Sequence, residues 1–298
     1  MLNLTERKQV EEYLRQRAAL AAFFAAGSLD LTGWEVIQYE VNAQPDAQWV
    51  LKLNNRAVDQ LINSDPSIYL SPFAVANQTI RARMGSGSAP DTMGFVFGYQ
   101  DRGHYYLFDW KKVAASYQSF GVQPRGMRLR VMHVPNGQDP TGADFWSAQN
   151  VTNSTTLRTN DLAWVDGADY DLTLRLKPGL IELEVNQGST SLASWAVTNS
   201  AYSSGRFGYF VNSLQYVRFG QILLDSLQPT ITNLQRTNGT HATLAWINGL
   251  PPFQVQTTTN LAMNDWNNVG SLTTNQNGIV PSAPNEAFFR IRGSSVPD

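Results

Sequence analysis

Apolar residues fall on every second position through long stretches between Leu31 and Leu227, and a period of two predicts strands with one buried face. In Asp171-Leu172-Thr173-Leu174-Arg175-Leu176 the three leucines share a face and the polar residues take the other. Further runs are rich in aromatic and β-branched residues: Phe95–Gln100, His104–Trp110, Met127–Val134, Tyr170–Leu176, Leu180–Asn186 and Phe207–Val211. Turn chemistry separates them at Asn136-Gly137, Lys177-Pro178-Gly179 and Asn186-Gln187-Gly188. Strands this numerous, with no helical period between them, predict a mainly β fold. Residues 29–227 are expected to form a jelly-roll sandwich.

The two ends read differently. Thr5 to Ala26 lacks Gly and Pro and is rich in Ala, Leu, Glu, Gln and Arg. An N-terminal α-helix is therefore expected within residues 1–28, capped by Thr5 and stopped by Gly27. Val10, Tyr13, Leu14, Leu20 and Phe24 would give it one apolar face, for packing on its own domain or for assembly. Mixed charges from Glu6 to Arg17 favour this helix over a secretion signal. Residues 228–298 carry short strand patterns around Ile231–Leu234, His241–Ile247, Phe253–Thr257, Asn267–Leu272 and Ala287–Ile291. They predict a small immunoglobulin-like or fibronectin-like sandwich with Trp246 in its core and Trp266 half buried.

Composition narrows the function classes. Hydrophobic residues make up 42% of the 298, enough for a core, while charged residues are only 15%, well below the roughly 25% of an average soluble protein. A surface of hydroxyls and amides suits an extracellular β-protein. The net charge is −2 and cations are not clustered, which argues against nucleic acid as partner. There is no cysteine, so disulfides and thiolate chemistry are excluded. The longest apolar run, Ala18–Ala26, is too short to cross a bilayer.

Candidate chemistry is sparse. Laminarinase-type jelly rolls place two carboxylates on one strand in an E-x-D-x-x-E pattern, which is missing here; Glu182 and Glu184 are the nearest pair and read as a solvated strand face. Asp109 lies within an otherwise apolar aromatic strand. A carboxylate there needs a partner: Lys111, Arg130, a ligand or a metal. His104, His133 and His241 have no metal-ligating neighbours at short spacing. Tyr99, Tyr105, Tyr106, Trp110, Trp146 and Trp164 could form a sugar-stacking platform, although alternation must turn about half of them inward. Trp146 and Trp164, beside polar loops, are the better candidates. Asn77, Asn150, Asn153 and Asn238 stand in N-x-S/T sequons, read as unmodified surface loops.

The middle of the chain resembles the C-terminal domain of thrombospondins. The resemblance is carried by Gly94-Phe95-Val96-Phe97-Gly98-Tyr99-Gln100, then Tyr105-Tyr106 and Trp110-Lys111-Lys112. Trp49, Asn63-Ser64-Asp65-Pro66, Leu157-Arg158-Thr159, Tyr170–Leu176 and Gly205-Arg206-Phe207-Gly208-Tyr209-Phe210-Val211 follow the same order, over about 190 residues. The tail resembles small C-terminal sandwiches of exported bacterial proteins at Leu244-Ala245-Trp246, Phe253–Gln256, Trp266 and Phe288-Phe289-Arg290. The first resemblance implies a concanavalin-like, lectin-like jelly roll in a non-catalytic extracellular or cell-surface adhesion protein that uses calcium. The family's acidic cluster is reduced here to Asp91 in Gly85–Asp91, which puts calcium in doubt. The expected site residues are Trp146, Trp164, Tyr105 and Asp101 for a ligand, and Asp91 and Asp109 for a calcium ion. The expected partners are an extracellular glycan or protein, or other copies of the chain as a structural subunit. A divergent glycoside hydrolase is the least favoured alternative.

Overall fold

The computed structural model describes residues 28–41, 43–85, 89–117, 120–135, 137–147, 151–224, 228–238, 241–263, 265–281 and 287–294. The helix expected over Thr5–Ala26 lies outside these residues.

In chain order the strands of the large sandwich are β1 (Glu35–Gln38), β2 (Trp49–Lys52), β3 (Ala57–Gln60), β4 (Ser67–Ala76) and β5 (Gln78–Gly85). Then come β6 (Thr92–Asp101), β7 (His104–Lys111), β8 (Ala115–Ser116), β9 (Val122–Gln123) and β10 (Gly126–His133). A short helix α1 (Gly142–Trp146) precedes β11 (Ser154–Thr159), β12 (Asp169–Lys177), β13 (Leu180–Gln187), β14 (Thr190–Thr198), β15 (Ser204–Asn212) and β16 (Val217–Leu224). They pair into two seven-stranded antiparallel sheets, β1-β4-β15-β6-β7-β10-β11 and β14-β13-β12-β5-β16-β3-β2, while β8 and β9 form a separate ribbon.

Alternation closes the two sheets over one core. On β12, Tyr170, Leu172, Leu174 and Leu176 are buried between more exposed neighbours, and on β13 Ile181, Leu183 and Val185 do the same. They meet Phe95, Phe97, Tyr106, Phe108 and Trp110 of the opposite sheet. Trp110 and Tyr170 touch edge to face across the sheets, centroids 4.5 Å apart, and the Trp110 indole donates to the Leu162 carbonyl at 2.6 Å. Gly94 has no side chain for a reason: a Cβ there would stand 2.1 Å from the Phe108 carbonyl oxygen of the adjacent strand.

One sheet departs from the expected half-burial. Every residue of β7 from Tyr105 to Lys111 is buried, and so is every residue of β10 from Gly126 to Met132. Both faces of this sheet are therefore covered at its centre, while the edge strands β1 and β11 keep exposed residues.

The C-terminal strands are β17 (Thr230–Asn238), β18 (His241–Ile247), β19 (Leu250–Thr258), β20 (Asn267–Thr273), β21 (Asn277–Pro281) and β22 (Phe288–Ser294). They form two three-stranded sheets, β17-β18-β21 and β20-β19-β22. These enclose Leu244, Trp246, Phe253, Val255, Val280 and Ile291. The small sandwich is tied to β4 by side chains that imitate strand pairing. The Gln276 amide accepts from Ala74 N–H at 2.8 Å and donates to Ala74 C=O at 3.0 Å, and Asn248 Oδ1 accepts from Ala76 N–H at 3.0 Å.

Buried phenols set an alkaline limit to stability. Burial raises Tyr99 and Tyr202 to about 12, and lifts Tyr39 and Tyr209 well above the ordinary value. The folded state keeps these protons where the unfolded chain releases them, so stability is lost as pH climbs from the unfolded toward the folded value. Arg128, lowered to about 10 by burial and then by Arg130, gives the opposite slope, but it is one group against several. The urea midpoint should be unaffected by these phenols below about pH 10 and fall between about 10 and 12. Phenolate absorbance should appear together with unfolding; ionisation of all tyrosines near 10 in a still-folded protein would contradict this.

Candidate functional site

The outer face of the first sheet is the most organised region of the surface layer. Strand alternation points Tyr105, Leu107, Asp109 and Lys111 of β7 outward, with Arg128, Arg130 and Met132 of β10 beside them. The segment carrying α1 lies over them. One half of the covered face is apolar, where Phe145 packs with Tyr39, Tyr105, Leu107, Met132 and Phe210.

The other half is ionic. Asp109 Oδ1 accepts from Arg128 Nε at 2.7 Å, and Oδ2 accepts from Arg130 Nε at 2.9 Å and Nη2 at 2.6 Å. The far ends of both guanidiniums reach the helix. Arg128 donates to the carbonyls of Ser147 at 2.6 Å and Phe145 at 3.1 Å, and Arg130 donates to those of Phe145 at 3.1 Å and Asp144. The last carbonyls of a helix lack partners inside it, and cations are favoured at that end. At its start, Asp144 accepts from Thr141 N–H at 2.7 Å, Thr141 Oγ1 at 2.8 Å and Asn153 Nδ2 at 3.1 Å. Both ends of α1 are thus held by charged side chains.

Lys111 continues the ionic strip. Its ammonium is buried, 2.7 Å from Asp91 Oδ1 and 4.6 Å above the Trp146 ring. The Trp146 indole donates to Ala115 C=O at 3.2 Å, and that of Trp164 to Asp91 C=O at 3.3 Å.

These contacts correct several sequence expectations. Tyr105, Trp146 and Trp164 are 0%, 4% and 1% exposed, so they have no free face for a sugar. Asp91 and Asp109 do not fit calcium. Asp109 has both oxygens on arginine N–H groups, Asp91 is bound to Lys111, and a dication would meet three buried cations where it needs six to eight oxygens. Among the described residues no group of three or more His, Asp or Glu could hold a metal. Asp101 is exposed at the other end of β6 from Asp91, and so is not brought together with the rest. Burial alone would raise its pKa, but hydrogen bonds from Gly103 N–H and the His104 ring hold it below the usual value. It closes the β6–β7 turn, at 2.9 Å and 2.7 Å from those groups.

Arg128 was missed by the sequence reading. Its signal was available: Arg128 and Arg130 share a strand face in Arg128-Leu129-Arg130, and an aspartate interrupts the neighbouring apolar strand.

The outer face of the second sheet is open. It carries Arg83–Asp171 at 2.8 Å, Arg175–Glu184 at 2.8 Å, Lys177–Glu182 at 2.6 Å and Arg218–Asp59 at 2.6 Å. Glu182 and Glu184 are each held by a cation, and the hydrogen bond from Lys177 keeps Glu182 below the usual carboxylate value.

Removing Asp109 would leave two buried guanidiniums without their anion. Asp109→Ala should destabilise the chain by about 3–5 kcal/mol in urea unfolding. Glu184→Ala, on the exposed face, should cost less than about 1 kcal/mol. Equal costs would show that the buried strip is not the stronger constraint.

Residues 44–226 match the family model for the thrombospondin C-terminal region. Human thrombospondin-2 is 29% identical over 197 residues, covering 60% of this chain and 16% of the relative. Zebrafish (Danio rerio) thrombospondin-3b is 29% identical over 196 residues, covering 61% and 21%. The chain therefore spans about a sixth to a fifth of the length of these relatives. Among solved structures, the carbohydrate-binding module CBM66 from Bacillus subtilis aligns with a TM-score of 0.43 at 13% identity, covering 65% of this chain and 96% of that one. On its sequence match over residues 44–226 and the jelly roll that they build, the chain belongs to the thrombospondin C-terminal family.

Proposed function

We propose that this chain is a non-catalytic extracellular adhesion or scaffolding protein whose jelly roll meets a glycan or protein partner through the open outer face of its second sheet. The observation that carries this reading is the asymmetry of the two sheets: α1 and its ion pairs seal one outer face, while the other is exposed and laid with paired charges. Such a face offers directional polar contacts of both signs rather than an apolar patch, which suits a hydroxyl-rich or mixed-charge surface. Family membership and the amide-rich, hydroxyl-rich composition support an extracellular setting. The engagement of Glu182 and Glu184 by cations argues against glycoside hydrolysis, because a general acid must have its pKa raised. Calcium has no part in this reading.

A glycan array probed with the full chain, with and without EDTA, tests it. Binding should be unchanged by EDTA and lost in the Arg83→Glu/Arg175→Glu variant. A flat array in both conditions would count against glycan recognition, and signal that vanishes with EDTA would overturn the cation-independent reading.

A second reading, self-assembly as a structural subunit, is favoured by the small sandwich. Leu234 is 54% exposed, Leu272 62% and Ile279 72%, all on edge strands. Apolar residues on unprotected edges favour pairing between copies. Light scattering should show a concentration-dependent mass that falls to the monomer in Leu234→Lys/Ile279→Lys; a monomer at every concentration would reject it.

A further inference from the structure

We infer that the outer face of the β20-β19-β22 sheet is a separate binding site, for a carboxylated polysaccharide. Strand register places Asn268, Gln256 and Arg290 in one row across the three strands, with Gln254 and Arg292 in the next. The intervening Phe253, Val255 and Ile291 point into the core, so both polar rows lie on the opposite face; Gln256 is itself buried there, while Asn268 and Arg292 are exposed and Gln254 and Arg290 half-buried.

The first row is wired together. Gln256 Nε2 donates to Asn268 Oδ1 at 2.8 Å, and Arg290 Nε donates to Gln256 Oε1 at 2.8 Å. The Arg290 guanidinium carbon stands 4.3 Å over the Trp266 ring centroid. One edge and one plane of the guanidinium are thereby fixed. Its terminal amino groups are left as a forked donor whose ordering has already been achieved, which lowers the entropic cost of binding.

Arg290 and Arg292 differ from the arginines of the large sandwich. Arg83, Arg128, Arg130, Arg175 and Arg218 each hold a carboxylate; among the described residues Arg290 and Arg292 hold none. Residues 228–298 carry three arginines, Arg236, Arg290 and Arg292, and three carboxylates, Asp265, Glu286 and Asp298, so the attraction for an anion comes from the local pair Arg290 and Arg292 and not from the charge of the unit. The Cα atoms of two residues two apart on one strand face stand about 7 Å from each other, so Arg290 and Arg292 leave the sheet as neighbours. Guanidinium forks take carboxylates in bidentate fashion, and amides exchange hydrogen bonds with hydroxyls. A polymer of uronic acids offers both groups on successive rings.

The test is calorimetric titration of the full chain with oligogalacturonate at low salt, alongside amylose and single-stranded DNA. Oligogalacturonate should bind, amylose should not, and DNA should bind more weakly than the acidic sugar. Arg290→Ala and Arg292→Ala should each weaken oligogalacturonate binding by about tenfold or more. Arg290→Lys should not restore it, because an ammonium lacks the fork. Unchanged melting temperature and circular dichroism would confirm that the variants fold. Arg292 is exposed, so its variant keeps the test available if Arg290→Ala fails to fold. Arg83→Glu/Arg175→Glu should bind oligogalacturonate like the parent, which separates this site from the open face of the large sandwich. Parent-like affinity in the Arg290→Ala/Arg292→Ala double variant, equal binding of amylose, or DNA binding as tight as oligogalacturonate would each overturn the assignment.

Discussion

The constraint that shapes this molecule is the burial of Asp109 between Arg128 and Arg130. A carboxylate with no access to water is tolerated only when both oxygens meet donors, and here two guanidiniums supply them. Each arginine must then satisfy its own remaining N–H groups. It does so on the terminal carbonyls of α1, which fixes the covering segment to the sheet. The consequences run outward from there. The centre of the first sheet becomes a buried layer, its aromatic residues become core, and the open sheet face is the opposite one.

Much of the architecture was legible in the residues. The alternation of Leu172, Leu174 and Leu176 assigned their strand and its buried face, and Trp246 was placed in the core of the small sandwich. The block Gly94–Gln100 lies within the family match, and its Gly94 answers a close backbone contact with Phe108. The candidate site was read less well. A period of two says which residues share a face, but not what covers that face. Tyr105 and Trp146 therefore read as free aromatics, although the chain folds the helix that carries Trp146 over the face of Tyr105, from a distance in sequence that periodicity cannot register. Asp109 was recognised as needing a partner, and Arg130 was among those considered. The shared strand face of Arg128 and Arg130 hints at a joint answer, but strand register is what sets Arg128 directly opposite Asp109.

The two sandwiches handle charge in opposite ways. In the large one, cations and anions are matched, whether buried under α1 or laid across the open sheet. In the small one, charges are few and arginine is held by neutral partners, an amide and an indole. The first arrangement fixes backbone; the second orders a cation with no carboxylate on it among the described residues. Both use the planarity of guanidinium, which lysine lacks.

The joint at Ala74 and Ala76 has a mechanical meaning. Gln276 and Asn248 grip backbone atoms of β4 beyond the stretch that β1 pairs, so they complete an edge that β15 flanks on its other side. A pull applied to the last strands is delivered to the interior of the jelly roll and not only to the connecting chain after Leu224. Load is then shared along paired strands, as in a spliced rope.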